Sequence, residues 1–238
     1  MILWFRDNTI KDFYMIILIG GEKGGTGKST ISTNISAMRT IAKKDVLLYD
    51  IDPQRTATFW ASRRDENSIQ PRISSSQKVL DNRVLNPGIV IRNELKALKS
   101  KYDDIVIDAG GAVSEVLRAA MTISDILVVP LMPSSFDVWT LGTMNSLISE
   151  VKTANPQLKV IVVYNKVSPN PHTAKSEMYD SDEILSDFEN IKRSAVTLVY
   201  RIAIRRSQGQ GLSVLEFKPS DEKAIEEIKK LYKEIFNE

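Results

Sequence analysis

An apolar run, Ile16-Ile17-Leu18-Ile19, leads into Gly20-Gly21-Glu22-Lys23-Gly24-Gly25-Thr26-Gly27-Lys28-Ser29, and a helical pattern begins at once behind it. Nothing else in the 238 residues restricts the fold as strongly. Glycines let consecutive backbone N–H groups turn inward and approach phosphate oxygens closely. The N-terminus of the following helix adds its partial positive charge. In such a loop Lys28 is expected to reach the β- and γ-phosphates of a nucleotide, and the Ser29 hydroxyl to ligate Mg²⁺. The general pattern G-x-x-x-x-G-K-[ST] fails at its first glycine, where Glu22 stands, and the loop carries a second lysine, Lys23, at its mouth.

The rest of the chain repeats the strand-then-helix theme. Val46-Leu47-Leu48-Tyr49, Ile105-Val106-Ile107, Ile126-Leu127-Val128-Val129 and Val160-Ile161-Val162-Val163 are apolar on successive positions, as strands buried on both faces are. Between them, Ile31, Ile35, Met38 and Ile41, and then Val138, Leu141, Met144, Leu147, Ile148 and Val151, recur at helical spacing. Ser134, Ser135 and Asp137 are plausible caps for the second group. A last helix runs from Ser220 to Phe236 behind an Asp221-Glu222 start. The fold class this predicts is α/β: a mainly parallel twisted sheet with helices on both faces. Residues 66–88 and 165–175 hold the prolines and serines of surface structure and of a loop, respectively.

Bulk properties remove several classes of function. There is no cysteine, which excludes a disulfide framework and a thiolate metal centre. The net charge is only +2, so any case for nucleic acid must come from local clustering. No apolar run is long enough to span a bilayer.

In open sheets of this kind ligands sit beyond the carboxyl ends of the strands. The second strand ends in Asp50-Ile51-Asp52-Pro53-Gln54, two carboxylates at alternate positions that can orient water and hold Mg²⁺. Ile105-Val106-Ile107-Asp108 ends in a carboxylate suited to the Mg²⁺ hydration shell, and Ala109-Gly110-Gly111 follows as a loop able to sense a γ-phosphate. Asn165, at another strand end, has an amide that can read an adenine edge. Lys192, Arg193, Arg201, Arg205 and Arg206 form a basic stretch with no acidic residue between 190 and 215, suited to a phosphate backbone or to a solvated face. His172, the only histidine, has no assigned role.

At these residues the sequence resembles the ParA family of partition ATPases, within the wider group that holds the division-site regulator MinD and the nitrogenase iron protein. The likeness rests on Lys23-Gly24-Gly25-Thr26-Gly27-Lys28-Ser29-Thr30, on Asp50 to Gln54, on the Asp108 strand and on Phe136-Asp137-Val138-Trp139. It covers roughly residues 15–236 and is nearest to small plasmid-type members. It implies a deviant P-loop ATPase using ATP and Mg²⁺, with Lys23 to Thr30 and Asn165 as the ATP-binding set and Ser29, Asp50 and Asp108 as the metal set. Lys23 matches the signature lysine that reaches across an ATP-bound homodimer, and Asp50 matches the residue that positions the attacking water, with Lys28 completing the catalytic group. The resemblance further implies nonspecific DNA binding by the dimer, here placed on Arg201, Arg205 and Arg206, and a ParB-type centromere-binding partner that stimulates hydrolysis. A cytoplasmic protein, associated with the nucleoid when ATP-bound, is the corresponding expectation. The Ala-Gly-Gly loop departs from the usual Thr/Cys-Pro-Pro. Residues 1–14 lie outside the resemblance, either as an arm or as a stretch before a start at Met15, and residues 15–238 read as a single ATPase domain. Two alternatives remain: a MinD-like membrane-cycling ATPase, against which the mixed charge of the last helix argues, and a positioning factor for a cargo other than DNA.

Overall fold

The computed structural model describes residues 14–78, 80, 84–134 and 141–238. Seven strands form one sheet in the order β3-β2-β4-β1-β5-β6-β7, and every pairing is parallel. They are β1 (Met15–Ile19), β2 (Val46–Asp50), β3 (Ser74–Gln77), β4 (Asp104–Asp108), β5 (Ile126–Leu131), β6 (Lys159–Val167) and β7 (Lys192–Val199). The five apolar runs are the five inner strands. Burial on both faces is what their unbroken hydrophobicity demands.

Eight helices are described: α1 (Lys28–Ile41), α2 (Thr56–Glu66), α3 (Pro87–Leu98), α4 (Glu115–Met121), α5 (Leu141–Ala154), α6 (Pro171–Leu185), α7 (Ile202–Gly209) and α8 (Glu222–Phe236). Alternate residues of one strand serve opposite cores. Ile16 and Leu18 pack with α3, α4, α5 and α6, whereas Ile17 and Ile19 pack with α1, α2 and α8. Helices therefore cover both faces, as the sequence predicts. The adjacent strands β1 and β4 send their helices, α1 and α4, to opposite faces, and this divergence opens a crevice at their carboxyl ends. Polar ties hold the helices around it in place. Arg39 of α1 bonds Asp104 of β4 at 2.7 Å and lies 4.0 Å over the Phe236 ring of α8. Arg64 of α2, 1% exposed, grips both carboxylate oxygens of Glu216, at 2.7 and 2.9 Å.

Several elements differ from the expectation. β3 and β7 were not readable as strands. Both lie at sheet edges, and Ser74-Ser75-Ser76-Gln77 carries no apolar residue to mark it. The expected loop over 165–175 is confined to 168–170, because β6 runs to Val167 and α6 begins at Pro171. Pro171 occupies the first helical turn, where its missing N–H costs nothing, and the Asn170 side chain caps the N–H of His172 at 3.0 Å. Pro87 opens α3 in the same way. Ile41, placed on the buried stripe of α1 by its spacing, is 42% exposed at the helix end. Ser135, Phe136, Asp137, Val138 and Trp139 lie outside the described residues, as do residues 1–13.

Candidate functional site

The glycine loop joins β1 to α1 at the crevice. Gly25 and Gly27 hold φ of 77° and 95°, left-handed values that favour glycine. Lys28, in the first turn of α1, is 6% exposed, and its Nζ donates to the Lys23 carbonyl at 2.7 Å. Burial lowers the pKa of Lys28, while the charges of Asp108 and Asp52 oppose that shift. The ammonium thus sits in the field of two carboxylates at the helix N-terminus. Gly24 and Gly25 are exposed, Thr26 is buried, and Lys23, Gly27, Ser29 and Thr30 are partly exposed.

Asp108 ends β4 beside Asp50 of β2, its direct neighbour in the register. It is 0% exposed, and its Oδ1 accepts a hydrogen bond from Ser32 at 2.8 Å, with the Ser29 hydroxyl also acting on the carboxylate. Burial pushes its pKa up to about 7, against those two hydroxyls, and the nearby Asp50 and Asp52 add to the rise. Its Oδ2 is buried with no hydrogen-bond partner. A buried oxygen of that kind, next to the Ser29 hydroxyl, is suited to a hard cation, so the residues present fit Mg²⁺. Among the described residues no three His, Cys, Asp or Glu side chains form a metal cage.

The two aspartates after β2 separate sharply. Asp50 is 1% exposed, and its Oδ2 accepts from both the backbone N–H and the hydroxyl of Thr58 at 2.8 Å. Its Oδ1 accepts from the Asp52 N–H at 3.0 Å. Asp50 is therefore occupied in fastening α2 to the sheet. Asp52 instead lines a cavity of about 1070 Å³ with Gly24, Gly25, Gly27, Lys28, Ser29, Thr30, Gly110 and Gly111. The sequence set Asp50 and Asp52 side by side without separating them by environment, because alternation on a strand gives both the same direction.

The loop after Asp108 has a steric reason for its glycines. A Cβ at Gly111 would stand 2.8 Å from the Gly24 nitrogen, and one at Gly110 would stand 3.2 Å from Asp52 Oδ1. The chain after β4 thus lies directly on the phosphate loop and on Asp52. From the other side of β1, the Asn165 Nδ2 donates to the Thr26 carbonyl at 2.7 Å. Its amide nitrogen is committed to the loop, and the side chain is 6% exposed. Lys166, unassigned from the sequence, lines the cavity as well.

The basic stretch does not converge. Arg201 donates to Glu227 at 2.6 and 3.2 Å, and Arg193 pairs with Asp182 at 2.9 Å. Arg205 and Arg206 are exposed on α7, and Arg205 donates to the Tyr200 hydroxyl at 3.3 Å. Of the three arginines placed on a DNA surface, Arg201 is thus a strut between β7 and α8. The acidic partners that neutralise the stretch lie elsewhere in the sequence, where local composition does not register them.

Comparison with known proteins accords with this geometry. Residues 17–214 match the CobQ/CobB/MinD/ParA nucleotide binding domain. The chain is 26% identical over 220 residues to the maintenance of carboxysome distribution protein A of Halothiobacillus neapolitanus, covering 92% of this chain and 95% of that protein. A Borrelia burgdorferi structure described as a plasmid partition protein, bound to AMPPNP, superimposes with a TM-score of 0.72 at 20% identity, covering 94% of this chain and 98% of that one. The septum site-determining protein MinD of Pyrococcus horikoshii, complexed with Mg-ADP, gives a TM-score of 0.67 at 18% identity, with 94% and 96% covered. The family match spans most of the sheet and the whole of the phosphate-loop site, and the chain belongs to the CobQ/CobB/MinD/ParA nucleotide binding domain family.

Proposed function

We propose that this protein is a Mg²⁺-dependent ATPase that dimerises on ATP and uses the cycle to position a cargo, acting in DNA partition with a ParB-type partner and nonspecific DNA. The observation that carries the proposal is the convergence of Lys28, Asp52 and the Gly110-Gly111 loop, from three strand ends, on one cavity of about 1070 Å³, with the Asp108 carboxylate acting on Lys28. Ser29 and Asp108 would hold the Mg²⁺, which supplies charge neutralisation for the phosphate oxygens when bound. Lys28 and the loop N–H groups bind and orient the triphosphate. Asp52 has the exposure and position to orient the attacking water, a role the resemblance gave to Asp50; Asp50 is better suited to holding Asp52 and α2 in register. Lys23 of a second copy is the group proposed to meet charge developing on the γ-phosphate.

The likeness to the carboxysome distribution protein over 95% of its length favours a second reading, a cargo other than DNA. A membrane-cycling role has less support. Ala224, Ile228, Leu231, Tyr232 and Ile235 of α8 are buried in the body of the protein, so the apolar side of this helix is already covered. Phosphate release from ATP with Mg²⁺, with and without DNA and a ParB-type partner, tests the proposal. Stimulation by the two together is expected. Turnover indifferent to both would leave the ATPase and remove the partition reading.

A further inference from the structure

The sheet order fixes which way a nucleotide must lie. β1 carries the phosphate loop, with β4 and β2 on one side and β5 and β6 on the other. Asp108, Asp52, Gly110 and Gly111 all arrive from the β4 and β2 side. A terminal phosphate that meets metal and water belongs on that side, so the nucleoside end runs towards β6. There the backbone of Lys166 takes φ 57°, a left-handed conformation uncommon for a lysine within a strand. Its Nζ donates to the Gly25 carbonyl at 2.5 Å, one peptide from the Asn165 bond to Thr26. Its Cε would lie 3.9 Å from a Cβ placed on Gly27. No carboxylate pairs with it among the described residues. The ammonium has three donors, and the carbonyl takes one. The side chain is thus laid across the phosphate loop, and Lys166 is the residue by which β6 reaches the cavity lining.

We propose that Lys166 is a positioning residue for the nucleotide. Its ammonium fixes Gly25, and with it the loop, while its methylene stem forms the nucleoside-side wall of the site. The inference rests on the ATP-binding reading above. It separates two contributions that differ in chemistry. The ammonium acts on any polyphosphate, because it sets the loop. The stem acts only on a ligand that carries a ribose and base, because only those extend past the loop.

The test uses the full chain and two probes, ATP and inorganic tripolyphosphate, each titrated calorimetrically in Mg²⁺. Lys166→Met keeps the stem and removes the charge; Lys166→Ala removes both. Both variants should weaken tripolyphosphate to the same degree, about tenfold, from loss of one charge-assisted hydrogen bond. Lys166→Ala should then weaken ATP further than Lys166→Met does, while Lys166→Arg restores tripolyphosphate affinity. A merely structural role would shift both ligands together in both variants. Equal ATP affinity in the Met and Ala variants, or tripolyphosphate affinity unchanged in both, would overturn the inference. A wild-type chain that binds tripolyphosphate but no ATP would instead overturn the ATP reading on which it stands.

Discussion

The phosphate-loop edge of the sheet and the arginine stretch around α7 are both rich in charge, but they are built oppositely. At the first, residues from β1, β2, β4 and β6 converge: Lys28 lies in the field of Asp108 and Asp52, Gly111 rests on Gly24, and Asn165 and Lys166 hold the loop carbonyls. At the second, Arg193 and Arg201 turn inward to Asp182 and Glu227, and only Arg205 and Arg206 of that group face solvent on α7. Spacing in a motif encodes geometry because glycines and strand ends fix where each group points. A charge run encodes no such thing, since long side chains take whichever partner the fold supplies.

The largest effect that would break this comparison is at Lys28. Lys28→Ala removes a buried charge from the convergent site, and ATP affinity should fall about 100-fold or more by calorimetry. Near-native affinity would make the loop no more than a glycine-rich turn. The paired aspartates sharpen the comparison next. Asp52→Ala should lower phosphate release about 100-fold while keeping ATP binding, since an oriented water is lost. Asp50→Ala should be read first in thermal melting, because it strips two hydrogen bonds from Thr58 and frees α2. The reverse pattern would return the water-positioning role to Asp50. Gly111→Ala comes third. Its Cβ meets the Gly24 nitrogen at 2.8 Å, so the loop must shift, and nucleotide affinity should fall about tenfold. Unchanged affinity would show that the two loops part freely.

The smallest effects belong to the arginines. Replacing Arg205 and Arg206 by Ala should leave melting and ATP binding intact and lower the salt slope of DNA binding by about 0.9 per lost phosphate contact. Arg201→Ala should do the opposite. It leaves Glu227, at 17% side-chain exposure, with the Val199 N–H but without its cation, and should depress the melting temperature without changing the slope. If all three variants act alike on DNA, the stretch is one surface after all.

How much was legible follows the same division. The five inner strands were readable because burial on both faces forces an unbroken apolar run. β3 and β7 were not, since an edge strand of serines, or one that opens on Lys192-Arg193-Ser194 and is broken again by Thr197, has no such unbroken run. Pro169 and Pro171 suggested a loop, yet Pro171 sits in the first turn of α6, where proline is tolerated. In the site, Lys28, Ser29 and Asp108 lie at one crevice because each is tied to a strand end or a helix start. The difference between Asp50 and Asp52 depends on Thr58, and the position of Lys166 on a left-handed backbone; neither is a property of local sequence.

In the proposed cycle ATP at this edge assembles two copies and hydrolysis takes them apart. Sedimentation equilibrium of the Asp52→Ala variant with Mg²⁺ tests it most directly. With ATP the mass of a dimer is expected, with ADP that of a monomer, and a monomer under both conditions once Lys23→Ala is added. A single mass in ATP and ADP, or a dimer indifferent to Lys23, would contradict it.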